Sequence, residues 1–256
     1  MMANYIHIIP FGLDRDRVIY LLQKFPPYKV YFLVYKNETE SDADYAEKAK
    51  AVMKDIDSLI TLAEKENITV SYEDFEDLFL RVFSIMAKEK QEGNEVISHA
   101  FLGPRMACYA LWLAASLTDT KAYYIRAAKY LPTGDTFSTG VLKEIELLQI
   151  PVLVPSRSEI NLLEYLLDHK GSMTGSLKKI VKSIGIENLN GVKSLNSSIV
   201  KMSYCIRELK RNHYITVKSI GRKQQNIELT RLGTLIAKTY KILKGGKYSS
   251  EYFSIH

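Results

Sequence analysis

Two groups of residues in this 256-residue chain have the types and spacing to do chemistry. The first lies near the C-terminal end. Advancing by about 100° per residue puts Ser197, Lys201, Tyr204, Arg207, Glu208 and Arg211 on one side of a helix, opposite an apolar stripe of Ile199, Met202, Ile206 and Leu209. Lys201 and Arg211 suit phosphates or guanine edges, and Ser197 and Tyr204 can donate to phosphate or bases. Soon after come Gly221, Arg222, Lys223 and Gln224, a turn with two cations between β-like runs. The second group is a pair of loops. Phe11, Gly12, Leu13 and Asp14 follow an apolar run at Tyr5–Ile9, and Ser98, His99, Ala100, Phe101, Leu102, Gly103, Pro104, Arg105 and Met106 follow another at Glu95–Ser98. Each loop turns at a glycine and leads into a helical pattern, where unpaired N–H groups attract anions. Neither contains G-x-G-x-x-G or G-x-x-x-x-G-K-[ST], so a dinucleotide fingerprint and a P-loop are both excluded.

The elements that must hold the loops are β and α in alternation. Arg15–Phe25 carries Val18, Leu21, Leu22 and Phe25 on one helical face. Val30–Tyr35 is continuously apolar, as a strand covered on both faces requires. A long helix is expected over Asp42–Glu66 with Met53, Ile56, Leu59, Ile60 and Ala63 buried, then a strand at Ile68–Tyr72, a helix at Asp74–Glu92, and a helix at Pro104–Leu117 with Pro104 as its first residue. Ala122–Arg126 adds a strand, Pro132–Asp135 has the composition of a turn, and Leu142–Leu148 is compatible with a last strand or a short helix. Four to five such repeats predict an α/β, Rossmann-like parallel sheet over residues 1–150.

Pro151 and Pro155 interrupt the pattern and mark a linker at 151–157. Beyond it, Ser156 and Glu159 have capping-box spacing ahead of a helix with Ile160, Leu163 and Leu167 inside. Further helices are expected at Leu177–Ile184 and Ser197–Asn212. Strands follow at Tyr214–Ile220 and Asn226–Leu229, and a last helix at Leu232–Leu243 buries Leu232, Leu235, Ile236 and Tyr240. This order over 158–244 is that of a winged helix-turn-helix domain, with Arg222, Lys223 and Gln224 at the wing tip. Residues 245–256 form a tail after Gly245 and Gly246.

Charge divides along the same line. Residues 1–150 carry 17 Lys+Arg against 22 Asp+Glu, a formal −5, whereas residues 151–256 carry 18 against 7, a formal +11. Only the second part is expected to meet a polyanion, double-stranded DNA on this reading. The longest apolar run, Met106–Leu117, is too short to cross a bilayer, and Tyr5–Ile9 is followed at once by proline and charges, which is unlike a signal peptide. A cytoplasmic protein without membrane partners is the expectation. Cys108 and Cys205 offer neither a disulfide framework nor metal-ligand spacing, and no cofactor is called for.

The first loop together with Val96–Leu117 through Gly103-Pro104-Arg105-Met106 resembles the CRISPR-associated Rossmann fold, the CARF domain. With the winged helix behind it, the chain is similar to archaeal CRISPR-associated transcriptional regulators. Related loops often read Asn-x-Thr-Gly-Gly-Thr-Lys, and here only one glycine and a cation remain. The resemblance implies a homodimer sharing a pocket for a cyclic tetra- or hexa-adenylate, with Arg105 on phosphate, the backbone at Gly12 and Gly103 beside it, and Phe11, His99 and Phe101 against adenine. Ring-nuclease chemistry, with Ser98, His99 and Arg105 around a reacting phosphate, and regulation by an unrelated metabolite are the alternatives.

Overall fold

A computed structural model describes residues 4–36, 40–131, 137–149, 155–189, 191, 194–221 and 224–245. The expected turn at Pro132–Asp135, most of the linker, Arg222, Lys223 and the tail from 246 lie outside the described residues. The chain divides into two compact units, residues 1–152 and 153–256.

The first unit runs β1 (Tyr5–Pro10), α1 (Arg15–Lys24), β2 (Pro27–Tyr35), α2 (Glu40–Leu59), β3 (Glu64–Val70), α3 (Phe75–Gln91), β4 (Glu95–His99), α4 (Arg105–Thr118), β5 (Lys121–Tyr130) and β6 (Ser138–Glu146). The six strands lie in the order β3-β2-β1-β4-β5-β6, all parallel except β6, which runs antiparallel to β5. This is the doubly wound, Rossmann-like order. Helices cover both faces, and the strand side chains show it. Ile9, Val30, Phe32 and Ile97 pack with Val18, Leu21, Met53 and Ile56 of α1 and α2. The alternate residues Ile6, Ile8, Tyr31 and Leu33 are buried too, and the Tyr31 hydroxyl donates to Glu89 of α3 on the opposite face.

Two expectations are corrected and one left open is resolved. The long charged helix stops at Leu59, and Leu59 is 54% exposed rather than buried. Glu64–Glu66 instead begins β3, where ladder pairing to β2 and the Lys29–Glu66 ion pair at 2.9 Å outweigh the helical propensity of a Glu- and Lys-rich run. Pro104 is the N-cap of α4 and Arg105 its first residue. The ambiguous segment near 142 is strand β6, held in the sheet by its ladder to β5.

The second unit comprises α5 (Arg157–Asp168), β7 (Ser172–Gly175), α6 (Leu177–Ile184), a short 3-10 turn, α7 (Leu195–Arg211), β8 (Ile215–Gly221), β9 (Gln224–Leu229) and α8 (Arg231–Leu243). Glu159 closes the expected capping box by accepting from the Ser156 N–H at 2.6 Å. Leu162, Leu163, Ile180, Val181, Met202, Ile206, Leu209, Ile215, Ile227 and Ile236 form the core. Strand β7 was not anticipated. It completes an antiparallel sheet β7-β9-β8 by pairing Ser172–Gly175 with β9. Leu232 is 46% exposed, against expectation, because α8 turns Leu235, Ile236 and Ala237 inward.

Candidate ligand-binding loops and nucleic-acid face

In the first unit the order reverses between β1 and β4. The chain leaves their carboxyl ends toward opposite faces of the sheet, and the two sequence-nominated loops meet there. They touch through their glycines. A Cβ at Gly12 would lie 2.6 Å from Leu102 Cδ1 and 2.9 Å from the Gly103 nitrogen. Gly103 has φ +77°, and a Cβ on it would come within 2.9 Å of Pro10 Cβ and 3.1 Å of the Phe11 carbonyl oxygen. Backbone lies against backbone at a spacing no side chain permits.

Most of the nominated side chains lie beneath this contact. Phe11, Gly12, Leu13, Asp14, Ser98, His99, Phe101 and Leu102 are buried, with Ser98, His99 and Leu102 at 0% exposure. The aromatic rings expected to stack on adenine are therefore interior groups in a single copy of the chain. Phe11 packs edge-on to Phe32, and Phe101 lies between His99 and the guanidinium of Arg17, 5.0 Å from its ring centroid. Asp14 is likewise committed: its carboxylate pairs with Arg17 and accepts from the Ser138 hydroxyl. Arg17, which sequence reading passed over, also donates to the Ile125 carbonyl at 2.9 Å. A buried guanidinium needs such a partner set, and the Asp14/Arg17 spacing of three along α1 was the available signal.

His99 faces His7 of β1, with His99 Nε2 2.9 Å from His7 Nδ1. The second ring nitrogen of His7 is 2.8 Å from the Phe25 carbonyl oxygen, which can only accept. His7 Nε2 therefore carries the proton, its Nδ1 accepts from His99 Nε2–H, and His99 Nδ1 is left as a lone pair with no partner among the described residues. Burial lowers the pKa of His7 to about 4 and that of His99 well below the ordinary histidine value, the latter helped by its neighbour. Both rings are neutral at physiological pH.

What reaches solvent is the rim: Gly103 and Pro104 are half-buried, and Arg105 and Met106 are exposed on the first turn of α4. That turn contains no acidic residue, and no ion pair among the described residues engages Arg105. The exposed side of α4 continues through Met106 and Tyr109, 37% and 56% exposed. Among the described residues no cluster of three or more His, Cys, Asp or Glu could hold a metal ion.

In the second unit, the buried residues Ser198, Met202, Cys205, Ile206 and Leu209 turn Ser197, Tyr204, Arg207 and Arg211 outward, with Lys201 half-buried. Three of these have local partners, Arg207 among them with Glu208 at 3.9 Å. The Ser197 hydroxyl donates to the Ser194 carbonyl at 2.9 Å, and Arg211 pairs with Glu208. Arg207 lies over the Tyr204 ring at 4.6 Å. Val200, 57% exposed on the same face, was missed because an apolar residue reads as core from sequence. Gln224 is exposed at the start of β9, while Arg222 and Lys223 lie outside the described residues.

Among known proteins, residues 5–130 match the family model described as HFX_2341_N:-like, N-terminal. An uncharacterized protein of Archaeoglobus fulgidus is 20% identical over 234 residues, 91% of this chain and 96% of its own length. Similar solved structures include Enterococcus italicus Csm6 bound to cyclic hexa-2'-fluoro-hexa-dAMP, at 13% identity and a TM-score of 0.41 over 83% of this chain and 57% of that one. Protein VC1899 from Vibrio cholerae gives 10% identity and 0.37 over 94% and 66%. Can2 from Sulfobacillus thermosulfidooxidans in complex with cyclic tetra-adenylate gives 11% and 0.34 over 95% and 64%. The chain thus spans less than two thirds of the length of these solved chains. No helix among the described residues is long and apolar enough to cross a membrane.

Proposed function

We propose that this chain is a ligand-responsive DNA-binding regulator. The first unit receives an anionic nucleotide where β1 and β4 end, and the second, read as a winged helix-turn-helix, binds duplex DNA through α7 and the β8–β9 hairpin. The CARF resemblance of the loops names the ligand as a cyclic oligoadenylate of four or six units. The observation that carries the reading is Arg105. It is an exposed cation, unpaired among the described residues, on a helix's first turn beside a positive-φ glycine at the sheet's switch point. A cation there is locally unfavourable with the helix dipole, and an incoming phosphate reverses that sign.

With Phe11, His99 and Phe101 buried, Gly103, Pro104, Arg105 and Met106 are the part of the site open to ligand. A second copy seated on the exposed apolar side of α4, at Met106 and Tyr109, would bring two Arg105 residues to one symmetric ligand. Ligand then acts on DNA by favouring one geometry of the dimer.

The test is a DNA-shift titration with and without saturating cyclic tetra-adenylate. A changed DNA affinity is expected, and an unchanged one removes the coupling. Arg105→Ala should weaken ring binding by about tenfold or more in calorimetry, the worth of one charge-assisted hydrogen bond. Prolonged incubation with labelled ring separates sensing from ring cleavage: intact ring is expected, and a linear product would establish the nuclease alternative.

A further inference from the structure

The β8–β9 hairpin ends in an isoleucine and a glycine that the fold itself does not use. Along β8, Ile215 and Val217 pack into the core of the second unit and stand opposite Leu229 and Ile227 of β9. Near the end of the strand the ladder slips. Ser219 faces Gln225 and Gly221 faces Gln224, so Ile220 is an extra residue with no partner across the strands. A bulge of this kind re-aims a side chain away from the ladder, and Ile220 is 57% exposed.

Gly221 is the more unusual of the two. Every other described glycine either has a positive φ or has a neighbour where a Cβ would stand. Gly221 has neither: its φ lies outside the left-handed region, and a Cβ on it would meet nothing within 4 Å among the described residues. Glycine in a strand gives up stability, because it loses the most freedom on folding and packs against nothing. Where the chain's own backbone and packing make no use of the missing side chain, the reason left is a close approach from outside.

An aliphatic side chain beside bare backbone, followed in sequence by two cations and two glutamines, has the make-up of a minor-groove wedge. The aliphatic group replaces the stacking contact between two base pairs, and the glycine lets the groove walls close on the strand. We propose that Ile220 enters between base pairs from the minor groove and kinks the duplex, with Gly221 leaving room for the sugars on either side. The proposal rests on the DNA-binding reading above and adds to it a deformation of the DNA. It also places the hairpin at pyrimidine–purine steps, TA above all, because these unstack at least cost; part of the sequence choice then arises without a hydrogen bond to any base.

The test uses the full chain and duplexes of mixed sequence, with binding read by gel shift and bending by energy transfer between dyes at the two ends. The wild type should kink the duplex by about 20–90°, and a 2-aminopurine beside a TA step should brighten as it unstacks. Ile220→Ser should lower affinity on the order of tenfold, the loss of one buried aliphatic side chain, and abolish the change in energy transfer. Gly221→Ala should keep or raise the thermal midpoint, because nothing among the described residues opposes its methyl group, and yet diminish the bend. Leu232→Ser, which removes another exposed aliphatic residue, on α8, should leave affinity and bend unchanged. If the wild type binds duplex without bending it, or if Ile220→Ser and Gly221→Ala both bend it as the wild type does, the wedge is refuted while the DNA reading stands. Equal loss in Leu232→Ser also refutes it, by making the effect one of surface hydrophobicity in general. A wild type that binds no duplex overturns the DNA reading itself.

Discussion

His7 and His99 are neutral because the interior around them has no room for a charge. An unfolded histidine titrates near 6.5, whereas His7 in the fold stays unprotonated down to about 4. Between those values the unfolded chain binds more protons than the folded one, so stability is full above pH 6.5 and falls as pH drops below it. The slope is about 1.4 kcal/mol per pH unit for each histidine. Urea unfolding of the first unit should show its midpoint falling between pH 7 and 5, and His7→Gln should flatten that dependence. The glycines set a second limit at this scale. Gly103→Ala forces a side chain to φ +77° against Pro10 and is expected to cost about 1–3 kcal/mol in the same measurement. Both effects belong to residues whose importance is spatial: sequence shows a histidine in a strand and a glycine in a loop, and neither shows what stands opposite.

At the scale of elements, α7 was legible because its two faces differ in kind, and its periodicity was enough to identify Tyr204, Arg207 and Arg211 as outward. Val200 was not legible, since its exposure depends on how the helix is rolled against α6. An exposed valine among polar groups has no role in the core, and on the DNA-binding reading proposed above it would meet a thymine methyl. On a selected binding sequence, Val200→Ser should lower affinity by about fivefold, the worth of about 1 kcal/mol of apolar contact. Replacing the contacted thymine by uracil should do the same to the wild type and nothing further to the variant. Helix α2 illustrates the opposite failure. The run through Glu64–Glu66 has helical composition, but the edge of the sheet recruits it as β3. Strand β7 was missed for the related reason that four residues carry too little pattern to announce a strand before β9 supplies its partner.

For the whole molecule, each unit carries apolar core of its own among the described residues, in the first on both faces of its sheet and in the second joining α5, α6, α7, α8 and the small sheet. Residues 155–245 expressed alone should therefore unfold cooperatively, checked by thermal circular dichroism; a broad, non-cooperative melt would show that this core depends on the rest of the chain. In the full chain, acidification from pH 7 to 5 should lower the transition that belongs to the first unit, because the buried pair His7 and His99 lies there. Sequence alone determined the alternation of strands and helices, the change of pattern near residue 150, the charge imbalance and the two loops, because periodicity and composition are properties of short stretches. Only the tertiary structure decided that the loops abut glycine to glycine, that Asp14 is taken by Arg17 and that the rings of Phe11 and Phe101 are interior. It likewise decided that Lys241 pairs with Asp168 and Lys244 with Glu164. Each of these depends on which groups approach across long separations in the chain, and distance in space, rather than spacing in sequence, sets burial, pairing and charge.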